Sequence, residues 1–197
     1  MNTESLNETL QLLTGWITND ALKATCFELV DIHSFLHWPA AISFHHAYEG
    51  GLIAHTIEVA EIAFHIAEKF PQVNRDVLIA AALWHDFGKI FEYVVTDTPL
   101  DGQRKLFFSH SDLGTDYWVR DSNAMSHILS SAIHFALAAS NHGVDHDTIN
   151  RVIHCIHSHH GPVKEWGSPE APRTIEALIL HQADLLSAHY GATKEKP

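Results

Sequence analysis

Apolar residues recur along this chain at helical spacing. From Thr3 to Thr18 they fall at Leu6, Leu10, Leu13 and Ile17, steps of four, three and four that place one stripe on an amphipathic helix. Asp20 is a suitable N-cap for a second helix running to about Leu36, with Leu22, Cys26, Leu29 and Phe35 inward, and Trp38-Pro39 ends it. Pro39 to Gly51 is rich in aromatic residues and histidine, and Gly50-Gly51 marks a break before the next helix.

Leu52 to Phe70 carries Ile53, Ile57, Ala60, Phe64 and Ala67 on one stripe, and Pro71 stops it. Asn74 then caps a helix from Arg75 to Phe87, in which Val77 to Trp84 is apolar without interruption; a helix apolar on all sides belongs at the centre of a fold. Beyond Gly88 the periodicity weakens, and the Thr-Pro and Asp-Gly pairs between Thr96 and Phe108 predict a small hairpin or a loop. Helical patterns return at Asp112 to Val119, Ala124 to Ala139, Asp147 to Ser158 and Thr174 to His189. With no internal repeat and no series of strands, the pattern predicts an all-α bundle with a hairpin or loop insertion around 96–120. Its length suits one domain over 1–197, with N-terminal helices over 1–37 and a core over 38–190.

Charge narrows the range of partners. Twelve lysines and arginines stand against 24 aspartates and glutamates, so a net charge of −12 argues against extended nucleic-acid binding and leaves phosphate contacts to local sites. Cys26 and Cys155 lie far apart with no CxxC pairing, which argues against thiolate zinc or a disulfide framework and fits a cytoplasmic protein. The polar, acidic N-terminus and the lack of a run of about 18 apolar residues predict neither secretion nor a membrane span. Oligomerisation is left open. Histidine is the outlier, with 18 residues dispersed along the chain, and imidazole is the commonest metal ligand.

Several of these histidines fall in an order that suggests a metal site. His85-Asp86 closes the helix predicted to be most buried, where an unpaired carboxylate is costly. His55 lies early in the preceding helix, His159-His160 follow a helix end, and Asp184 sits among Ile179, Leu180, Leu185 and Leu186. Each member lies on a separate helix, so packing can bring them together.

The order His55, His85-Asp86, Asp184 resembles the HD superfamily of metal-dependent phosphohydrolases. The strings HHAYEGGLIAHTIEVA (45–60), NRDVLIAAALWHDFGKI (74–90), SHHG (158–161) and EWGSPEAPRTIEALILHQAD (165–184) are similar to the catalytic domain of YhaM-type 3'-5' exoribonucleases, over roughly residues 38 to 190. The resemblance implies that His55, His85, Asp86 and Asp184 hold a first divalent cation, with Asp86 bridging to a second held by His127 together with His159 and His160. His110 and His134 compete with His127 for that role. The cation is left open among manganese, iron, zinc, magnesium and nickel. Asp86, Lys89 and His159 are the expected catalytic residues, Lys89 with its ammonium free to contact a phosphate oxygen, while His45 and His46 line the mouth of the site for substrate. His157 and His181, each three residues from a candidate ligand, are further neighbours of the site.

The chain departs from the family pattern between Tyr93 and His127, where a longer stretch carrying Phe107, Phe108, Tyr117 and Trp118 could form a lid or specificity wall. The resemblance implies metal-activated water attacking a phosphoester in a nucleotide or at the 3' end of a short RNA. Two other classes fit the same motifs: a non-catalytic HD domain that senses a nucleotide or acts as an adaptor, and an HD-type relaxase-like DNA nuclease. The complete ligand set favours an enzyme over the first, and the short acidic chain disfavours the second.

Overall fold

The computed structural model describes residues 3–42, 45–98, 101–103, 105–110, 114–161 and 167–194. Within them the chain runs through α1 (Thr3–Gly15), α2 (Asp20–Phe27), a 3-10 turn (Glu28–Asp31), α3 (His33–His37), α4 (Gly51–Ala67), α5 (Arg75–Trp84), α6 (Lys89–Glu92), β1 (Tyr93–Thr96), β2 (Lys105–His110), β3 (Gly114–Arg120), α7 (His127–Asn141), α8 (His146–Ser158) and α9 (Ile175–Lys194). The all-α expectation holds, with one small sheet added. Glu165, the start of the last quoted motif, lies outside the described residues, as does Asp112, the predicted start of a helix.

Local chemistry explains most boundaries. Asn19, not Asp20, caps α2 by accepting from the Leu22 amide at 2.9 Å, and Asp20 becomes the first helical residue. The single helix expected to reach Leu36 is broken by the 3-10 turn; β-branched Val30 and Ile32 do little to sustain a helix, and the break lets both Leu29 and Phe35 bury fully. Asn74 caps α5 as expected, accepting from the Val77 amide at 3.1 Å.

Every side chain from Val77 to Trp84 is buried, and α5 packs against α4, α8, α9 and α2. One apolar cluster runs from Leu6 in α1 through α5 to Ala183 in α9. The aromatic rings of Trp84 and Phe87, 4.8 Å apart, close it at the end of α5 where the candidate site begins.

The segment Asp112 to Val119, expected to be helical, contains instead the strand β3. Thr115, Tyr117, Trp118 and Val119 are β-branched or aromatic, and Trp118 buries edge-on to Trp38 with ring centroids 6.2 Å apart. β3 is the middle strand of an antiparallel sheet ordered β1-β3-β2, with Tyr93 opposite Arg120 and Lys105 opposite Val119. The β2–β3 hairpin falls within the predicted insertion; β1, which starts at Tyr93, extends it backwards.

Gly88 sets the distance between α5 and α7. A Cβ there would come within 2.2 Å of the His127 carbonyl oxygen, and its amide donates to Ser131 Oγ at 2.8 Å. The close approach brings the first residue of α7, His127, alongside Asp86.

Candidate metal centre

Three elements deliver the four side chains of the first group. His55 lies one turn into α4, His85 and Asp86 directly follow α5, and Asp184 faces them from α9. His55 Nε2 is 3.1 Å from Asp184 Oδ1 and 3.4 Å from Asp86 Oδ2. His85 Nε2 is 3.4 Å from Asp86 Oδ2, 3.4 Å from His55 Nε2 and 4.0 Å from Asp184 Oδ1.

The other edges of the rings fix their protons. His85 Nδ1 lies 2.7 Å from the Ala82 carbonyl, which can only accept, so Nδ1 carries the hydrogen and Nε2 presents a lone pair. Ser187 Oγ donates to Glu58 Oε2 at 3.0 Å and therefore accepts from His55 Nδ1 at 2.9 Å, leaving His55 Nε2 bare as well. Two imidazole lone pairs and two carboxylate oxygens thus face one another in a buried space. Electron-pair donors converging in this way suit a divalent cation.

A second group meets the other oxygen of Asp86. His127 Nε2 is 3.5 Å and His159 Nε2 3.7 Å from Asp86 Oδ1. All three atoms are buried and make no hydrogen bond within the protein. Their orientation is again set from behind: His127 Nδ1 faces Glu92 Oε2 at 3.0 Å, and His159 Nδ1 faces the Ile156 carbonyl at 2.7 Å. His160 joins them, its ring 5.2 Å from that of His127, and the four residues offer ligand atoms within 4.8 Å of one another. Three orphaned polar atoms aimed at one point are costly unless something satisfies them.

Of the competing histidines, His134 is turned away: its Nδ1 meets the Ser130 carbonyl at 2.8 Å and its ring stacks on Phe91. The side chain of His110 lies outside the described residues. His45 and His46 do border the first group, with the His45 ring 4.7 Å from that of His55. Both nitrogens of His46 are engaged, Nε2 with Glu58 at 3.2 Å and Nδ1 with His45 at 3.2 Å, so the trio His45, His46 and His55 offers no complete set of free lone pairs.

Lys89 differs from expectation. Its ammonium is buried and held 2.6 Å from Asp86 Oδ2 rather than free, because an anionic carboxylate in a buried site draws the nearest cation. Burial works to raise the Asp86 pKa, but Lys89 and His85 outweigh it and hold the carboxyl well below its usual range. Burial lowers His55 and His159, and brings His45 to about 3 and His160 to about 4, which keeps these rings neutral. His85 is the exception: burial lowers it, yet the Asp86 carboxylate prevails and its pKa is raised, so a cation taking the Nε2 lone pair competes there with a proton.

Glu58, Ser187 and Glu92 support the site and were not anticipated from the sequence. Glu58 and Ser187 each lie three residues beyond a candidate ligand, His55 and Asp184, and that one-turn spacing is the signal that could have found them. His181, which had that spacing, holds the turn after α8 through its Nδ1 contact to the His159 carbonyl at 2.9 Å. His157 shares the spacing, but its Nε2 makes no hydrogen bond.

Comparison with known proteins gives a consistent picture. The HD domain family matches residues 52–189. A curated relative from Bacillus subtilis (strain 168), named 3'-5' exoribonuclease YhaM, is 33% identical over 187 residues, covering 92% of this chain and 54% of the relative. Another of the same name, from Listeria monocytogenes serotype 4b (strain CLIP80459), is 34% identical over 154 residues, 78% of this chain and 44% of the relative. The chain therefore spans about half the length of the curated relatives it matches. No solved structure matches it. Among the described residues, no helix is long and apolar enough to cross a membrane.

Proposed function

This chain belongs to the HD domain family, and from that membership we propose that it is a metal-dependent phosphohydrolase acting on a phosphoester of a nucleotide or of the 3' end of a short RNA. The observation that carries the proposal is the division of Asp86: one oxygen faces the lone pairs of His55 and His85, the other those of His127 and His159. In this reading His55, His85, Asp86 and Asp184 hold one divalent cation and Asp86, His127, His159 and His160 the other. Bound there, such a pair lowers the pKa of a water molecule and neutralises charge on the phosphoryl oxygens.

The chain's own residues do the rest. Ser187, Glu58, Glu92 and the Ala82 and Ile156 carbonyls keep the four imidazoles in the tautomer that presents Nε2. Lys89 supplies a fixed positive charge beside Asp86, where it can offset negative charge developing on a phosphoryl group. His45, partly exposed at the border of the first group and neutral at physiological pH, gives its Nδ1 hydrogen to His46 Nδ1, whose Nε2 donates to Glu58, and so presents Nε2 as an acceptor for a substrate hydroxyl. The names of the YhaM relatives support RNA 3' ends as the polymeric substrate, and the −12 net charge supports short ones.

The test uses purified chain with manganese on bis-p-nitrophenyl phosphate, a panel of nucleotides, and short RNAs with free or blocked 3' ends. Hydrolysis that disappears in Asp86→Ala is expected, with the blocked RNA resistant. No turnover on any substrate with manganese, iron, zinc, magnesium or nickel would overturn the proposal.

A further inference from the structure

Glu92 sits where the sheet meets the metal centre, and it is 3% exposed. One carboxylate oxygen faces His127 Nδ1 at 3.0 Å. The other is bound by the guanidinium of Arg120, the last residue of β3. The backbone repeats the connection, since the Asp121 amide donates to the Glu92 carbonyl at 3.0 Å and Tyr93 pairs with Arg120. One side chain thus joins the sheet to a histidine of the second group.

We propose that Glu92 is a positioning residue for the second cation and that Arg120 makes this position depend on the sheet. His127 is the first residue of α7, and its Nδ1 is met by the Glu92 carboxylate rather than by a carbonyl of its own helix, so the ring's orientation is set from outside α7. An acceptor behind Nδ1 keeps the hydrogen there and turns Nε2 toward Asp86 Oδ1. His159 needs no such residue, because the Ile156 carbonyl in its own helix does the same work. His127 borrows its acceptor from another element, and that element carries the sheet.

The inference rests on the two-cation reading above, but its test needs no substrate. Chelator-stripped protein is titrated with manganese, following binding by calorimetry and the electron paramagnetic resonance of the bound metal. Wild-type chain is expected to take two equivalents, the second giving the multiline signal of a coupled pair. Glu92→Ala is expected to weaken the second equivalent about 10–100-fold, leave the first unchanged, and show the six-line signal of isolated manganese. Glu92→Gln, whose amide oxygen still accepts from Nδ1, should recover most of the loss. Arg120→Ala should weaken the second equivalent less than Glu92→Ala, in the same direction.

Glu92→Ala that binds both equivalents like wild type would overturn the inference. So would equal loss of both equivalents in Glu92→Ala and Glu92→Gln, which would make Glu92 a residue of general stability. Normal binding behaviour with no hydrolysis of any phosphoester would leave the positioning role standing and remove the hydrolase reading alone.

Discussion

The imidazole of His181 occupies the space that a side chain at Gly161 would need: a Cβ there would lie 2.3 Å from its Cε1. His181 is buried in α9, and its Nδ1 holds the carbonyl of His159. Gly161 also has φ +84, a conformation that non-glycine residues rarely adopt. Gly161→Ala therefore has to strain the turn, costing about 1–2 kcal/mol, and to displace His181 as well. Chemical denaturation should show a loss of at least that size, and the displaced ring should loosen His159 enough to weaken manganese binding. Unchanged stability and binding would mean that the turn adapts freely.

Acid should destabilise the metal-free protein earlier than carboxylates alone would. His45 and His160 titrate near 6.5 when unfolded but at about 3 and about 4 in the fold. Below pH 6.5 the unfolded chain takes up protons that the folded rings refuse. Their stabilising effect is fully present above that pH and falls by about 1.4 kcal/mol per pH unit for each group as pH drops toward the folded values. His55 and His159, also lowered, act in the same direction. His85, whose pKa is raised, acts in the opposite one, favouring the fold below 6.5 and losing that effect as pH rises through its folded pKa. Four groups outweigh one, so EDTA-treated protein should unfold at lower urea at pH 5 than at pH 7. Equal midpoints would contradict this balance.

Much of this architecture is legible in the sequence because burial writes a strong signal. The uninterrupted run Val77 to Trp84 could only be central, and an acid two residues beyond it, Asp86, had to be paired or coordinated. The ordered residues His55, His85, Asp86 and Asp184 do converge, as their placement on separate helices suggested. What escaped has physical reasons too. In Asp112 to Val119 a capping aspartate and spaced apolar residues imitate a helix, while strand formation depends on pairing with β1 and β2, which are distant in sequence. The three-residue spacing from Asp86 that places Lys89 by the site also lets its ammonium pair with that carboxylate instead of standing free. Glu92 could not be recognised because its partners, Arg120 and His127, reach it only across the fold.

The two cysteines should be inert in the native state. Both are fully buried. Burial raises the Cys26 thiol far above its ordinary value and pushes Cys155 up to about 12, so neither forms the reactive thiolate at pH 8. A disulfide reagent such as DTNB should label no thiol in folded protein and two in guanidinium. Rapid labelling of either in the folded chain would place that residue outside the core described above.

Asp86 gives one oxygen to each group of imidazoles, so its removal should affect both at once. The most direct measurement is the number of manganese ions retained per chain after stripping, reloading and gel filtration, for wild type and Asp86→Ala, by elemental analysis. The predicted result is close to two for wild type and close to zero for Asp86→Ala. Two ions in both proteins, or none in the wild type, would contradict a centre organised around this carboxylate.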